Sequence, residues 1–571
     1  MRRHALAIAV AALASAVPAH AQTGTHRVFV LDQGAPSVTA VDLQSGKVLQ
    51  TAALEGSPSV LLRTHDGKRL LVLDHGTGKD AGDAGFQAKT KSSLTILDAA
   101  KLTPQARIEL GAGLEDSVML SDRGDRLAVI CPGYVGKRPE ENLPREVVVV
   151  DLAAGQVSGR VPLARPAAAF FATPDGKTAV VLAQRGKPKQ TPLPAAELQV
   201  IDLQTAKSVA TLTFEGDPRD PVLSPDGKYV YLLDRGDPSG NPEKNINGRL
   251  HVVSLESRKV ENAYDVGSKP RGLVLDEAGQ QLLLVSDGAP VKGQKNRPGE
   301  LRAIRGARII GPVATVPSPE YIRSTADGKR LFVVSWSAIT TLNSRDLSQV
   351  AEMREHYLGQ EFALSPDGRR AFAIAQQNLY TYDLENGTQL DKVVTGRMGS
   401  RIFAAVTAAA DTANSKADAR RDAERKGQTY YTYTEYSVRD PNQSIAVRPD
   451  SKAVYVVNRQ TSDVTIIDAE TGHIIEKVGA DGSAVHFMPG AGIALVMDDG
   501  AVHAVDLTTN KKLDDLAKGS SYSFSSPQIS ADGKHAVINA AAGVLLVDAT
   551  GGPATARVLP FKHVVDMEID W

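Results

Sequence analysis

The chain has a single cysteine, Cys131, so no disulfide can form within it. Cys131 closes the apolar run RLAVIC, the setting of a buried, unreactive thiol; a nucleophile or a bridge between copies is the alternative. One thiol also excludes the Cys-x-x-Cys-His attachment site of c-type haem. There is no His-Glu-x-x-His zinc motif, no Gly-x-Ser-x-Gly nucleophile elbow and no phosphate-binding glycine loop. The 12 histidines are dispersed without a ligand spacing. His75 alone opens a long loop directly after an apolar run, and it reads as solvated or capping. Aromatic residues make up only 5% of the chain, with two tryptophans, Trp336 and Trp571. Charge is nearly balanced at −1, which gives no sign of a nucleic-acid partner. These absences leave no catalytic residue, no metal ligand and no cofactor to name.

The first 21 residues read as an export signal. Arg2 and Arg3 precede an Ala-rich apolar stretch from Ala5 to Val17, and Ala19-His20-Ala21 fits a small-x-small cleavage site. The stretch is too short to span a bilayer, and no later run reaches about 18 apolar residues, so no transmembrane segment is expected. With no cysteine at the cleavage site, this signal offers no lipid-anchor position. A periplasmic or secreted product cleaved near Ala21/Gln22 is expected, with a net charge of −3 once Arg2 and Arg3 are lost.

What the chain does have is repetition. A polar turn rich in Asp and Gly precedes a short apolar run ten times, as in PDGKYVYLLD (225–234), ADGKRLFVVS (326–335), PDGRRAFAIA (366–375) and PDSKAVYVVN (449–458). The period is about 50 residues in the first half and about 40 later, the range of solenoids and propellers. A second turn, Asp-x-x-Thr/Ser/Asn-Gly, recurs as DLQSG (42–46), DLENG (383–387) and DAETG (468–472). Pro and Asp shape such turns, and Gly accepts their positive φ.

Residues 443–480 show the unit. SIAV, AVYVVN and VTIID are apolar strands separated by turns, and HIIEKV alternates as an outer strand does. Four strands in about 40 residues make one antiparallel propeller blade. The chain begins out of phase. Residues 26–54 supply the last three strands of a blade, and 562–571 supply one strand. The tail is therefore expected to complete the first blade and to remove the free edges. The count is about eleven blades: ten with their own turn, plus the composite one. Eleven exceeds the four to eight of a usual ring, so either two rings sit in tandem or one unusually large ring forms; the period change near residue 317 favours two, 22–316 with long loop insertions and 317–571 with short loops plus the insert 397–441.

VYVVNRQTSDVTIIDAETGHII (454–475), and less closely VFVLDQGAPSVTAVDLQSGKVL (28–49), resemble the YVTN-type β-propeller repeats of exported bacterial and archaeal proteins. The resemblance implies an exported all-β propeller and leaves function open, since that family includes surface proteins, lactonase-like enzymes and cofactor-associated proteins. Quinoprotein dehydrogenases carry a docking tryptophan after a similar turn and paired cysteines, and both are missing here.

Function is sought where the repeat is interrupted. Five insertions fall between second and third strands: about 75–91, 132–145, 184–196, 235–248 and 287–299. The largest, 397–441, falls between two blades. Both kinds of connection open on one face of a propeller, and loops on a rigid scaffold carry function. Together the six inserts carry +9, against −3 for the exported chain. A basic rim favours an anionic partner, while polar loops kept for solubility are the plain alternative. Within 397–441, TAAADTANSKADARRDAERKG (407–427) has the composition of a solvent-facing helix. It precedes the tyrosine cluster YYTYTEY (430–436), which suits recognition or packs the insert on its own blade. NPEKNING (241–248) has part of a calcium-loop spacing but lacks the closing acid, so it reads as a polar turn.

The favoured reading is an exported, non-catalytic scaffold that binds a protein or anionic ligand, such as a cell-envelope component, through Lys187, Lys189, Lys292, Lys295, Arg297, Arg420, Arg421, Tyr430, Tyr431 and Tyr433. The alternative is a lactonase-like hydrolase or cofactor-dependent oxidoreductase with its site at the channel mouth.

Overall fold

The computed structural model describes residues 26–570 apart from 77, 81–85, 89–90, 115–117, 121–124, 134–143, 174, 184–194, 215–217, 225, 235–247, 268–269, 271–272, 276–280, 288–297, 320, 326, 336–337, 355–360, 376–377, 396–442, 460, 499, 519–525, 541–542 and 551–553. Eleven four-stranded antiparallel sheets account for nearly all of it. The expected unit at 443–480 is present as Gln443–Val447, Ala453–Asn458, Asp463–Asp468 and Ile474–Val478.

Blade 1 is the composite one. It orders Val48–Ala53, Ser37–Asp42, Arg27–Asp32 and Val564–Asp570 side by side. The tail pairs antiparallel with the first strand, Arg27 opposite Asp570, Phe29 opposite Glu568 and Val30 opposite Met567. Ten blades follow in chain order: 58–112, 118–162, 167–214, 219–265, 273–315, 321–354, 361–394, 443–478, 484–518 and 528–560.

Side-chain chemistry explains where each strand sits. Second and third strands are Val-, Ile- and Leu-rich and covered on both faces; Ala453–Asn458 and Leu282–Ser286 are buried throughout. Outer strands such as Lys259–Asp265 and Thr388–Val394 alternate exposed with half-buried residues, as one wet face requires. First strands line the inside of the blades and are only half-buried, as in Gln443–Val447.

The recurrent turns are built by side chains as well as by glycine. Thr64, Ser365 and Ser530 donate to the carboxylates of Asp66, Asp367 and Asp532 at 2.7, 2.6 and 2.5 Å. In the second turn, the Asp468 carboxylate accepts the N–H groups of Glu470 and Thr471 at 3.0 and 2.7 Å.

Eleven apolar clusters hold the blades together, and each is shared by two blades that are consecutive in the chain. The series runs from blades 1 and 2, where Phe29 and Leu31 meet Leu61 and Leu70, to blades 11 and 1, where Val537 and Val544 meet Val28 and Val30. Blades 6 and 7 share a core like all the others, with Leu283 and Leu301 against Leu331 and Val333. Among the described residues no break in packing therefore marks the two-ring division expected near residue 317. The period changes there because the insertions between second and third strands end, while the blade-to-blade packing continues. No helix among the described residues is long and apolar enough to cross a membrane.

Candidate functional site on the insertion-bearing face

Register places the inserts. Asp74 pairs with Ser93, Cys131 with Glu146, Ala183 with Glu197, Asp234 with Arg249, and Ser286 with Glu300. Each second-to-third-strand insert therefore leaves and returns across a single rung. Outer-strand ends lie beside these rungs: Leu163 N–H donates to Arg145 O, and Val266 N–H to Gly248 O, both at 2.9 Å. The inter-blade connections thus open on the same face as the inserts. The short turns lie at the opposite ends of the strands, joined there by bonds such as Ala469 N–H to Lys452 O at 3.0 Å.

All ten residues singled out for binding, Lys187, Lys189, Lys292, Lys295, Arg297, Arg420, Arg421, Tyr430, Tyr431 and Tyr433, lie outside the described residues, as do the expected helix at 407–427 and most of 241–248. The feet of the largest insert are described. Thr395, before it, and Gln443, after it, are both buried. Gln443 Nε2 donates to Thr395 Oγ1 at 3.1 Å, and Asn458 Nδ2 donates to Thr395 O at 2.9 Å. Asn458 also bonds Gln443 and, at 2.9 Å, Asp463. This buried node ties the two ends of a long excursion together. Sequence reading missed it, because Thr395, Gln443 and Asn458 are far apart in the chain and follow no motif.

The first insert borders a cleft of about 450 Å³ lined by Ser57, Asp74, Lys91, Ser92, Arg107 and Glu109, among others. Lys91 ion-pairs with Glu109 at 2.5 Å, and Arg107 pairs with Glu55. The buried Asp74 carboxylate takes the N–H groups of Ser57 and Gly76 at 3.0 and 2.7 Å. A Cβ on Gly56 would lie 1.7 Å from Asp74 Oδ2, at a φ of +87°, so the wall of the cleft requires glycine there.

A polar chain runs from this cleft to the closing tail. Gln33 Nε2 donates to Ser57 Oγ and Pro58 O, each at 3.1 Å, and Gln33 N–H donates to His563 O at 2.9 Å. Asp32 accepts the N–H groups of Lys562 and His563 at 2.9 and 3.0 Å. Burial acts to raise the Asp32 carboxyl, but the N–H donors of Lys562, Ala35, His563 and Gly34 outweigh it and hold it below the ordinary range.

On the inner wall, the tail presents Asp566, Glu568 and Asp570 at every second position. Asp566 accepts the N–H of Leu61 at 2.8 Å, and Asp570 pairs with Arg63 at 2.9 Å and Arg27 at 3.3 Å. Burial, then the charge of Asp566, push Glu568 up to about 7 against the pull of Arg63. Burial raises Asp566 as well. Neither acid lines the cleft at the first insert. The spacing D-M-E-I-D was visible in the sequence and is the signal that would have placed three acids on one side of a strand.

Cys131 is fully buried, and burial pushes its thiol up to about 12, so it is no nucleophile at neutral pH. Among the described residues no group of three or more His, Cys, Asp or Glu could hold a metal ion.

No protein-family model matches the chain, and no curated protein sequence matches it. It is similar in structure to a eukaryotic initiation factor at 12% identity and a TM-score of 0.39, over 80% of this chain and 96% of that one. It is similar to the dihydro-heme d1 dehydrogenase NirN at 14% identity and a TM-score of 0.35, over 71% and 77% of the two chains. Apo AztD from Citrobacter koseri matches at 15% identity and a TM-score of 0.27, over 80% and 95%. Likenesses this remote concern the fold alone and assign this chain no activity.

Proposed function

We propose that this chain is an exported, non-catalytic propeller scaffold of the YVTN repeat type that captures a protein or anionic ligand on its insertion-bearing face. The observation that carries this reading is the gathering of the inserts on one face, opposite the short turns. The inserts carry +9 on an exported chain of −3, and such a field favours encounter with anionic partners. The cleft beside the first insert adds a concavity of about 450 Å³ on the same side.

The test replaces Lys187, Lys189, Lys292, Lys295 and Arg297 together by Gln. The variant should melt like the wild type, because these positions fall in the inserts, between the second and third strands of blades 4 and 6. It should fail to retain the envelope component that the wild type retains in a quantitative pull-down. Equal recovery with both proteins would overturn the reading.

A second reading, catalysis at the channel mouth by a lactonase-like hydrolase or an oxidoreductase, is favoured by one observation. Glu568, titrating near 7 beside Arg63, has the perturbed carboxyl that acid–base chemistry uses. It does not line the cleft at the first insert, and so the scaffold reading is preferred.

A further inference from the structure

The third strand of most blades ends in the Asp that opens the second turn, on the face opposite the inserts. Eight blades obey this rule, from Asp42 in blade 1 to Asp548 in blade 11. The three exceptions are consecutive: Ser254 in blade 5, Arg305 in blade 6 and Asn343 in blade 7. The acidic circle of the turn face is therefore interrupted over one arc, and in the middle of that arc a carboxylate is replaced by a guanidinium.

The same arc holds a cleft of about 570 Å³ between blades 6 and 7. Arg305, Lys329 and Arg345 line it with a single carboxylate, Asp327. Asp327 is committed, since it takes the Thr325 hydroxyl at 2.6 Å and pairs with Lys329 at 3.1 Å. Asp346, next to Arg345 in the chain, is bound to the hydroxyl and N–H of Ser348 at 2.7 and 2.9 Å. Neither Arg305 nor Arg345 has a carboxylate partner among the described residues.

Arg305 is also fixed in place. Its Nε donates to Gln281 Oε1 at 2.8 Å, and its Nη2 donates to Ser344 O and Arg345 O at 3.1 and 2.8 Å. Gln281 is itself buried and donates to Ser344 O at 3.1 Å. In blade 2 the matching position is Arg69, which donates alone to Leu152 O of the next blade. In blade 6 Gln281 makes that clamp, and an extra guanidinium is added at the cleft. Arg305 Nη1 keeps two N–H donors with no partner among the described residues, and a guanidinium held in place beside an exposed cation suits an oxyanion better than flexible lysines do.

We propose that the cleft between blades 6 and 7 on the turn face binds a small polyanion through carboxylate or phosphate groups. Arg305 orients it, and Arg345 supplies further charge. This site lies on the face opposite the inserts and is independent of the proposed function.

The test is isothermal titration of the full exported chain with citrate and, separately, with pyrophosphate. At least one probe should bind saturably at low salt and more weakly at about 0.3 M salt. The stronger of the two identifies the oxyanion class. Arg345→Glu, an exposed change that spares the fold, should weaken binding tenfold or more. Arg305→Gln should weaken it too, with circular dichroism to verify folding. Lys452→Ala, at the equivalent turn of blade 9, should leave it unchanged. The proposal is overturned if neither probe saturates, if Arg345→Glu binds like the wild type, or if Lys452→Ala weakens binding as much as Arg345→Glu does.

Discussion

At the scale of the residue, the fifth position of the second turn needs a left-handed backbone whatever side chain it carries. Gly46, Gly155, Gly387 and Gly472 meet that need at φ of +63 to +77°. Leu102, Ala206, Arg258, Leu347 and Asn510 occupy the same position at +48 to +60°. Leu102 and Leu347 are buried, and their apolar contacts offset the strain. Arg258 is exposed and has no such compensation. Arg258→Gly should therefore stabilise the protein by about 0.5–1 kcal/mol, seen as a later midpoint in urea unfolding. An unchanged or earlier midpoint would show that Arg258 bears no strain. The turns were legible in the sequence wherever Asp and Gly were both present. They were not legible where Leu or Arg holds the left-handed site, because that backbone geometry leaves no mark on composition. The Ser or Thr that locks the first turn also went unread, since a lone hydroxyl before Asp looks like the end of a strand.

At the scale of the element, the tail strand docks through its acids as well as its backbone. Asp566 receives Leu61 N–H from the innermost strand of blade 2, and Glu568 receives the N–H of Arg63 two residues on. The period of two in the acids matches the period of two in the inward N–H groups of a strand edge. The cost is the confinement of two carboxyls, with Arg63, Asp570 and Arg27 as the other charges nearby. Glu568 titrates from about 7 in the folded chain against an ordinary 4.5. Below 4.5 both states hold the proton. As pH rises from 4.5 through 7, the unfolded chain releases the proton first, and stability falls until both are ionised. Glu568→Gln keeps an N–H acceptor without the charge. It should match the wild type near pH 4.5 and exceed it by about 1–2 kcal/mol at pH 8, with solvent screening allowed for. Parallel melting curves for the two proteins across that range would refute the assignment. The tail was recognised as a closing strand from its pattern. Its grip on the following blade was not, because that depends on which N–H groups of another strand face it.

At the scale of the whole molecule, closure is the property on which the rest hangs. An open array of blades would leave strand edges and blade faces unpaired at both ends, and each would seek a partner. Here the last seven described residues serve two interfaces at once. Met567 packs in the core between blades 11 and 1, while Asp566 and Arg63-bound Asp570 reach blade 2. The sequence period reports loop length, whereas the number of rings is set by which blade faces meet. Removing 562–571 therefore strips blade 1 of its innermost strand and loosens both of its neighbours. The melting temperature should fall by at least about 5 °C. Loss of a disordered end would shift it by almost nothing. The truncated protein should also be rescued by the missing piece. A synthetic peptide KHVVDMEIDW, added in excess, can pair antiparallel with Arg27–Asp32 as the native strand does and should restore the melt by mass action. The same peptide with Asp566 and Glu568 replaced by Ala keeps its backbone pairing but loses the contacts to Leu61 and Arg63. It should rescue only in part. Equal rescue by the two peptides would mean that the backbone alone closes the ring, and no rescue by either would mean that the tail does not close it at all.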